Sequence, residues 1–168
     1  MSEIHLVFGP QGAGKSTYAR ELAASVNGIR FSIDEWMQQL YGPDLSKPLD
    51  FRWIMERVKR CELQIWRMAR QVGESGRHVV LDLGFMKLRN RAEFEALATQ
   101  AGLACRLHYL TAPRELRRSR VLARNVEKGE TFAFEVTSVM FDVMDKEFES
   151  PTEAELSRAL VYDTGVAA

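Results

Sequence analysis

Apolar residues along the chain fall into short solid runs and longer spaced stripes, and the two kinds alternate. Ile4-His5-Leu6-Val7-Phe8 is a compact run that predicts a buried strand over residues 3–8. Ala19, Leu22, Ala23 and Val26 then recur at i, i+3, i+4, i+7, one face of a helix over 15–26 that Asn27-Gly28 closes. Ile29 to Ile33 predicts a second strand ending at Asp34, where a helix begins that breaks at Tyr41-Gly42-Pro43. A loop over 44–48 leads to a long helix. Its stripe is Phe51, Ile54, Met55, Val58, Cys61, Ile65, Met68, Ala69 and Val72, and Gly73 to Gly76 ends it. Val79-Val80-Leu81 is the clearest buried strand and finishes in Asp82. Phe94, Leu97, Ala98 and Ala101 mark the next helix, and Ala104 to Leu110 a fourth strand. Pro113 opens an arginine-rich helix from the first helical position that proline favours. Val136, Val139, Met140 and Val143 give one more helix face, and Leu160-Val161-Tyr162 a last strand. Strands alternating with helices imply a parallel sheet covered on both faces, with ligands gathered at the carboxyl ends of the strands.

The connection between the first strand and the first helix is Gly9-Pro10-Gln11-Gly12-Ala13-Gly14-Lys15-Ser16, the pattern G-x-x-x-x-G-K-S. Between a strand and a helix this pattern is a phosphate-binding loop. Glycines let backbone N–H groups turn inward toward an anion, and the helix adds its positive end. Residues 9–16 together with Thr17 are the predicted nucleotide-binding segment. Lys15 reaches the β- and γ-phosphates, and the Ser16 hydroxyl is placed to ligate Mg²⁺.

Composition narrows the field. The 168 residues suffice for one α/β domain spanning 1–168 and are too few for two. Lys+Arg 23 equals Asp+Glu 23, so no global positive field gathers nucleic acid or an anionic membrane. The start runs straight into a strand and no apolar run is long enough to span a bilayer, so the expectation is a cytoplasmic protein. Cys61 and Cys105 are expected as two reduced thiols. His5, His78 and His108 share no metal-ligand spacing and are expected as packing or edge residues. Nothing in the sequence calls for an obligate protein partner.

Among phosphate-loop proteins, GTPases carry Asn-Lys-x-Asp, which is absent here, and the signature of transporter ATPases is absent too. A late arginine cluster is present instead: Arg114, Arg117, Arg118, Arg120 and Arg124. Arg117, Arg120 and Arg124 share one helix face, and like charges in a row want an anion. Next to the segment 125–131 they read as a lid over 118–134 whose arginines clamp a transferring phosphate; the competing reading is a solvated basic face pairing with Glu115 and Glu127. Asp34, at the predicted end of a strand beside the loop, suits a general base. Its carboxylate suits equally a helix cap on the Met37 N–H. Asp82 ends an apolar strand, where an unanswered carboxylate is costly, so Mg²⁺ or Lys15 is expected to meet it; a cap of the following turn is the lesser alternative. The three tryptophans lie at helical spacing and are expected in the core.

The chain resembles the small phosphate-loop kinases that include polynucleotide kinase, the zeta toxins, and gluconate- and antibiotic-phosphorylating enzymes. The resemblance is carried by the loop, by Ser32-Ile33-Asp34-Glu35-Trp36, by the segment Val79 to Phe85, and by Arg120-Val121-Leu122-Ala123-Arg124-Asn125 followed by Lys128-Gly129. It implies an α/β, P-loop NTPase-type, parallel five-stranded sheet with helices on both faces and a small lid. It also implies an ATP- and Mg²⁺-dependent kinase acting on a hydroxyl of a small molecule. Lys15, Asp34, Arg120 and Arg124 are then catalytic, with Asp34 as base; Gly9 to Thr17, Arg120 and Arg124 bind nucleotide; Ser16 and Asp82 lie at the metal. The alternatives are a polynucleotide 5′-hydroxyl kinase, a zeta-toxin-like nucleotide-sugar kinase, and, from a different class, an ATP-binding regulatory protein that transfers nothing. The balanced charge and the lack of a basic-aromatic run weigh against a nucleic-acid partner.

Overall fold

Five strands, β1 (Glu3–Phe8), β2 (Ile29–Ser32), β3 (Val79–Asp82), β4 (Ala104–Thr111) and β5 (Leu160–Asp163), form one sheet in the order β2-β3-β1-β4-β5 in a computed structural model. The structure describes residues 1–128 and 135–166. Every pairing is parallel. Among the described residues seven α-helices accompany the strands: α1 (Lys15–Ser25), α2 (Ile33–Tyr41), α3 (Phe51–Glu74), α4 (Leu88–Gln100), α5 (Arg114–Glu127), α6 (Ser138–Glu147) and the single turn α7 (Glu153–Leu156).

Alternation along β1 explains the layering. Ile4, Leu6 and Phe8 point to one face and pack with Cys61, Ile65 and Ala69 of α3 and with Phe94 and Ala98 of α4. Val7 points to the other face and packs with Val80, Leu110 and the small residues Ala19 and Ala23 of α1. Fully burying such side chains contributes about 1.5–3 kcal/mol each for the large ones. Both cysteines are free thiols, and burial raises both pKa values, Cys105 to about 12.

Several sequence expectations need correction. β2 stops at Ser32, and it is the Ser32 hydroxyl that caps α2 by accepting the Glu35 N–H at 3.3 Å. Asp34 therefore lies inside the first turn and is not the cap. The strand beside β1 is β3, not β2, because β3 inserts between them. The stripe of α3 joins the core at Val58, Cys61, Ile65, Ala69 and Val72, whereas Phe51, Met55 and Met68 are exposed. On α6 the core residue is Phe141, packed with Val121 and Val136, while Val139 and Val143 face solvent. Pro113 stands one position earlier than expected, at the cap of α5. Residues 129–134 of the expected lid, including Gly129, lie outside the described residues.

The three histidines are not separate packing residues. Parallel register brings them into one chain: His5 Nδ1 lies 3.0 Å from His108 Nε2, and His5 Nε2 lies 3.3 Å from His78 Nδ1. Tyr18 Oη completes it at 2.8 Å from His108 Nδ1. Burial pushes His5 and His108 down to about 4, so both rings are neutral at pH 7.

A second buried polar element is the Arg91–Glu155 pair. Arg91 has no exposed surface; Nε and Nη2 donate to the Glu155 carboxylate at 2.7 and 3.1 Å, and Nη1 donates to the Phe85 carbonyl at 3.0 Å. Glu155 also accepts the Thr152 N–H, so one carboxylate closes the capping box of α7 and neutralises α4's arginine.

One carboxylate on α3 opposes folding at neutral pH. Burial, and then the charge of Glu93 on α4, raise Glu62 to about 7 from 4.5, against the pull of Lys59. Between those values the folded chain holds a proton that the unfolded chain has released. Stability is thus full below pH 4.5 and falls as pH rises through about 7. Glu62→Gln should flatten that slope and raise unfolding free energy at pH 8 by roughly 1–3 kcal/mol in urea titrations. Equal stability of the two chains at pH 8 would exclude the effect.

Candidate active site

The carboxyl ends of β1, β3 and β4 meet at the loop that leaves Phe8. Two glycines there are fixed by space as well as by conformation. A Cβ on Gly9 would lie 2.1 Å from the Leu110 carbonyl, and one on Gly12, whose φ is +81°, would lie 2.5 Å from the Arg117 carbonyl. The loop is therefore pressed against β4 and α5. Gly14, with φ +89°, turns the chain into α1, whose first turn has neither an acidic residue nor a side-chain cap. Its N–H groups and positive helix end stay available to an anion.

A cleft of about 730 Å³ opens over this loop, and its walls bring together Lys15, Ser16, Asp34, Asp82, Arg120 and Arg124. Gln11, Gly12, Gly14 and Thr17 also line it, whereas Ala13 is wholly buried beneath the loop. Lys15 Nζ donates to the Pro10 carbonyl at 2.9 Å, folding the side chain over its own loop. Burial pushes its pKa down to about 8, while the charges of Asp82 and Asp34 push back. Lys15 consequently remains a cation at neutral pH.

Asp34 projects from the first turn of α2. Crowding by the cleft walls raises its pKa, the charge of Asp82 adds to this, and Lys15, Arg124 and Arg30 act in the opposite sense. Its surface is nonetheless accessible through the open cleft, so the carboxylate is crowded but wetted. Arg124, from the last turn of α5, is held below its ordinary value by burial, with Asp34 as its attractive partner.

Asp82 is met by a residue the sequence reading overlooked. Arg30 on β2 donates Nη2 and Nε to Asp82 Oδ2 at 3.0 and 3.3 Å, and Nη1 to Glu35 at 2.7 Å. The register that pairs Ser32 with Asp82 places Arg30 within reach. Asp82 Oδ2 is thus satisfied by Arg30, while the charge of Asp82 also bears on Lys15.

The row of arginines on α5 is also answered, and differently at each position. Arg117 is buried: Nε donates to the Ala112 carbonyl at 3.0 Å, and Nη1 donates to the Gln11 carbonyl at 3.2 Å and to Asp145 at 2.6 Å. Arg120 Nη1 donates to the Thr164 hydroxyl at 2.9 Å and reaches the Gly12 carbonyl at 3.3 Å; Nη2 donates to the Thr164 carbonyl at 2.8 Å. Only Arg124 of the three has its charge turned to Asp34 across the cleft. Thr164 was another unread member of the site. Its signal was the polar turn Asp163-Thr164-Gly165 at the carboxyl end of the last strand, the place where parallel strands deliver ligand-facing groups.

This arrangement of sheet, loop and helix is the fold of the small P-loop kinases. Residues 4–151 match the AAA domain family, and the chain belongs to it. No curated protein matches the sequence. Among solved structures, a candidate kinase of Chloroflexus aurantiacus superimposes with a TM-score of 0.77 at 17% identity, covering 98% of this chain and 89% of that one. The APS kinase of Mycobacterium tuberculosis, in complex with AMPPNP and APS, gives 0.66 at 16% identity over 99% and 91% of the two chains. A gluconokinase of Sinorhizobium meliloti gives 0.58 at 15% identity over 99% and 84%. At such identities the likeness is one of fold. Among the described residues no helix is long and apolar enough to cross a membrane.

Proposed function

We propose that this protein is an ATP-dependent phosphotransferase that moves the γ-phosphoryl group of ATP to a hydroxyl of a small molecule. The observation that carries the reading is that Asp34 lines the same cleft as the phosphate loop, among the charges of Lys15 and Arg124. Backbone N–H groups of the loop and Lys15 hold the phosphates. Asp34 orients the acceptor hydroxyl toward the γ-phosphorus and takes its proton as the oxygen attacks. The bond from that phosphorus to the β,γ-bridging oxygen breaks, and ADP leaves with the electron pair. Arg124 faces the group in flight, where charge matters most. Arg120 acts at one remove: by gripping the Gly12 carbonyl it sets the loop, so it is a positioning residue rather than a clamp. The Ser16 hydroxyl and Asp82 suit a hard cation, since Asp34 and Asp82 repel each other across the cleft and raise the pKa of Asp34. Held by Ser16 and Asp82, Mg²⁺ would supply positive charge to neutralise the phosphates.

The likeness of fold to a gluconokinase and an APS kinase supports a small hydroxyl-bearing acceptor. A screen of labelled ATP against sugars, nucleosides, aminoglycosides, nucleotide-sugars and oligonucleotide 5′ ends tests this. Label on one of the small compounds is the expected result. Label on oligonucleotide ends alone would replace the acceptor class, and ATP binding without any transfer would favour a regulatory role.

A further inference from the structure

We infer that Glu3, His5 and His78 form a binding site for a transition-metal dication, zinc above all, at the amino-terminal edge of the sheet. One ligand atom from each of the three residues lies within 4.8 Å of the others. The spacing of the two nitrogens is the informative part. Ligands about 2.0–2.1 Å from a tetrahedral zinc stand about 3.3–3.4 Å apart, and His5 Nε2 lies 3.3 Å from His78 Nδ1. Glu3 Oε2 completes a triangle at 3.9 Å from His5 Nε2. Two imidazoles and one carboxylate favour zinc and its neighbours over magnesium or calcium, which want all-oxygen shells. His78 and Glu3 are half-buried while His5 is enclosed, so an ion enters from the rim and keeps a solvent ligand in its fourth position.

The surroundings supply what such a site needs. Arg106 Nη2 holds Glu3 Oε1 at 2.8 Å, leaving Oε2 turned toward the histidines. His108 Nε2 stands 3.0 Å from His5 Nδ1, and Tyr18 Oη 2.8 Å from His108 Nδ1. Binding requires a tautomer shift. Without metal, the Glu3 N–H donates to His78 Nδ1 at 3.3 Å, so His5 donates Nε2–H to the same acceptor. With metal, the His5 proton moves to Nδ1 and is donated to His108 Nε2, whose own proton moves to Nδ1 and faces Tyr18. Each ring stays neutral, and the hydrogen bond behind the ligand fixes its orientation. The Glu3 N–H bond to His78 is given up.

This site is separate from the nucleotide cleft. Glu3 and the phosphate loop stand at opposite ends of β1, about 16 Å apart along a six-residue strand. The metal would tie the first residue of β1 to the turn before β3, a structural role. Its test uses the tag-free, chelator-treated, nucleotide-free full chain. Zinc is titrated calorimetrically, cobalt(II) spectra are recorded, and Tm is measured with and without zinc. The expected result is one equivalent bound, tetrahedral cobalt bands without thiolate charge transfer, and a rise in Tm. Glu3→Gln and His78→Ala, both at the rim, should each weaken binding at least tenfold and abolish the Tm rise while circular dichroism stays that of the parent. Absence of binding at 100-fold excess zinc would overturn the site. So would thiolate bands, or binding unchanged in the Glu3→Gln/His78→Ala double variant.

Discussion

Lys15→Ala should lower phosphoryl transfer by roughly a thousandfold or more, equivalent to about 4 kcal/mol of transition-state stabilisation. The loss is large because nothing else in the loop carries a positive side chain. Backbone N–H groups supply partial charge only, Arg117 is committed to Asp145, and Arg120 to Thr164 and the Gly12 carbonyl. The ammonium donates to the Pro10 carbonyl, a single neutral acceptor weaker than a phosphate oxygen. Truncation should leave folding intact, since the side chain crosses the loop and not the core. Calorimetry with Mg·ATP and single-turnover transfer to the acceptor found by screening are the measurements. A variant that transfers at the parent's rate would remove Lys15 from the mechanism.

Asp34→Asn should leave Mg·ATP binding nearly unchanged and lower transfer by roughly two to four orders of magnitude, the usual contribution of a positioned base. The fold should tolerate the change, because Ser32 caps α2 and Asp34 is relieved of that duty. Removing the charge also ends repulsion with Asp82. The pH profile separates this role from simple positioning. A base works deprotonated, so the parent's rate should climb with pH until it passes the raised pKa of Asp34 and then level off. The asparagine variant should lose that limb. Persistence of the same limb in the variant would assign it to another group and leave Asp34 as an acceptor-orienting residue.

What the sequence disclosed about fold and site follows from the range of the interactions involved. The phosphate loop is a contiguous device, and its glycine pattern, flanking strand and helix all fall within about twenty residues, so it could be read directly. Asp82 was legible as the polar end of an apolar strand, whereas Asp34 lies in the first turn of α2 and not at a strand end. Strand order was not, because it depends on β3 inserting between β2 and β1, a competition among strands that look alike in sequence. Arg30 escaped notice for the same reason, since its partner Asp82 lies 52 positions away. The periodicity of α3 showed which side was apolar but not how much of it finds a cover, and Phe51 and Met55 stay exposed. Arginine spacing on α5 correctly gave a shared face. It could not show that Asp145 and Thr164 arrive from later elements to occupy two of the three. The histidine cluster joins residues 73 and 103 positions apart and exists only through register.

Thr164 gives the phosphate loop a timetable. Its hydroxyl lies 2.9 Å from the Ala13 carbonyl and 3.3 Å from that of Thr111; its N–H donates to Thr111 at 2.8 Å; and Arg120 grips it from α5. The loop leaves the ribosome well before this clasp, which follows 151 residues behind Ala13. A nascent chain therefore carries the loop's whole sequence long before it has the contact that holds the loop's shape. At about 5–20 residues added per second, that interval lasts on the order of ten seconds. Through that interval the growing polypeptide has the loop's motif without its finished cradle, which waits on the synthesis of Thr164.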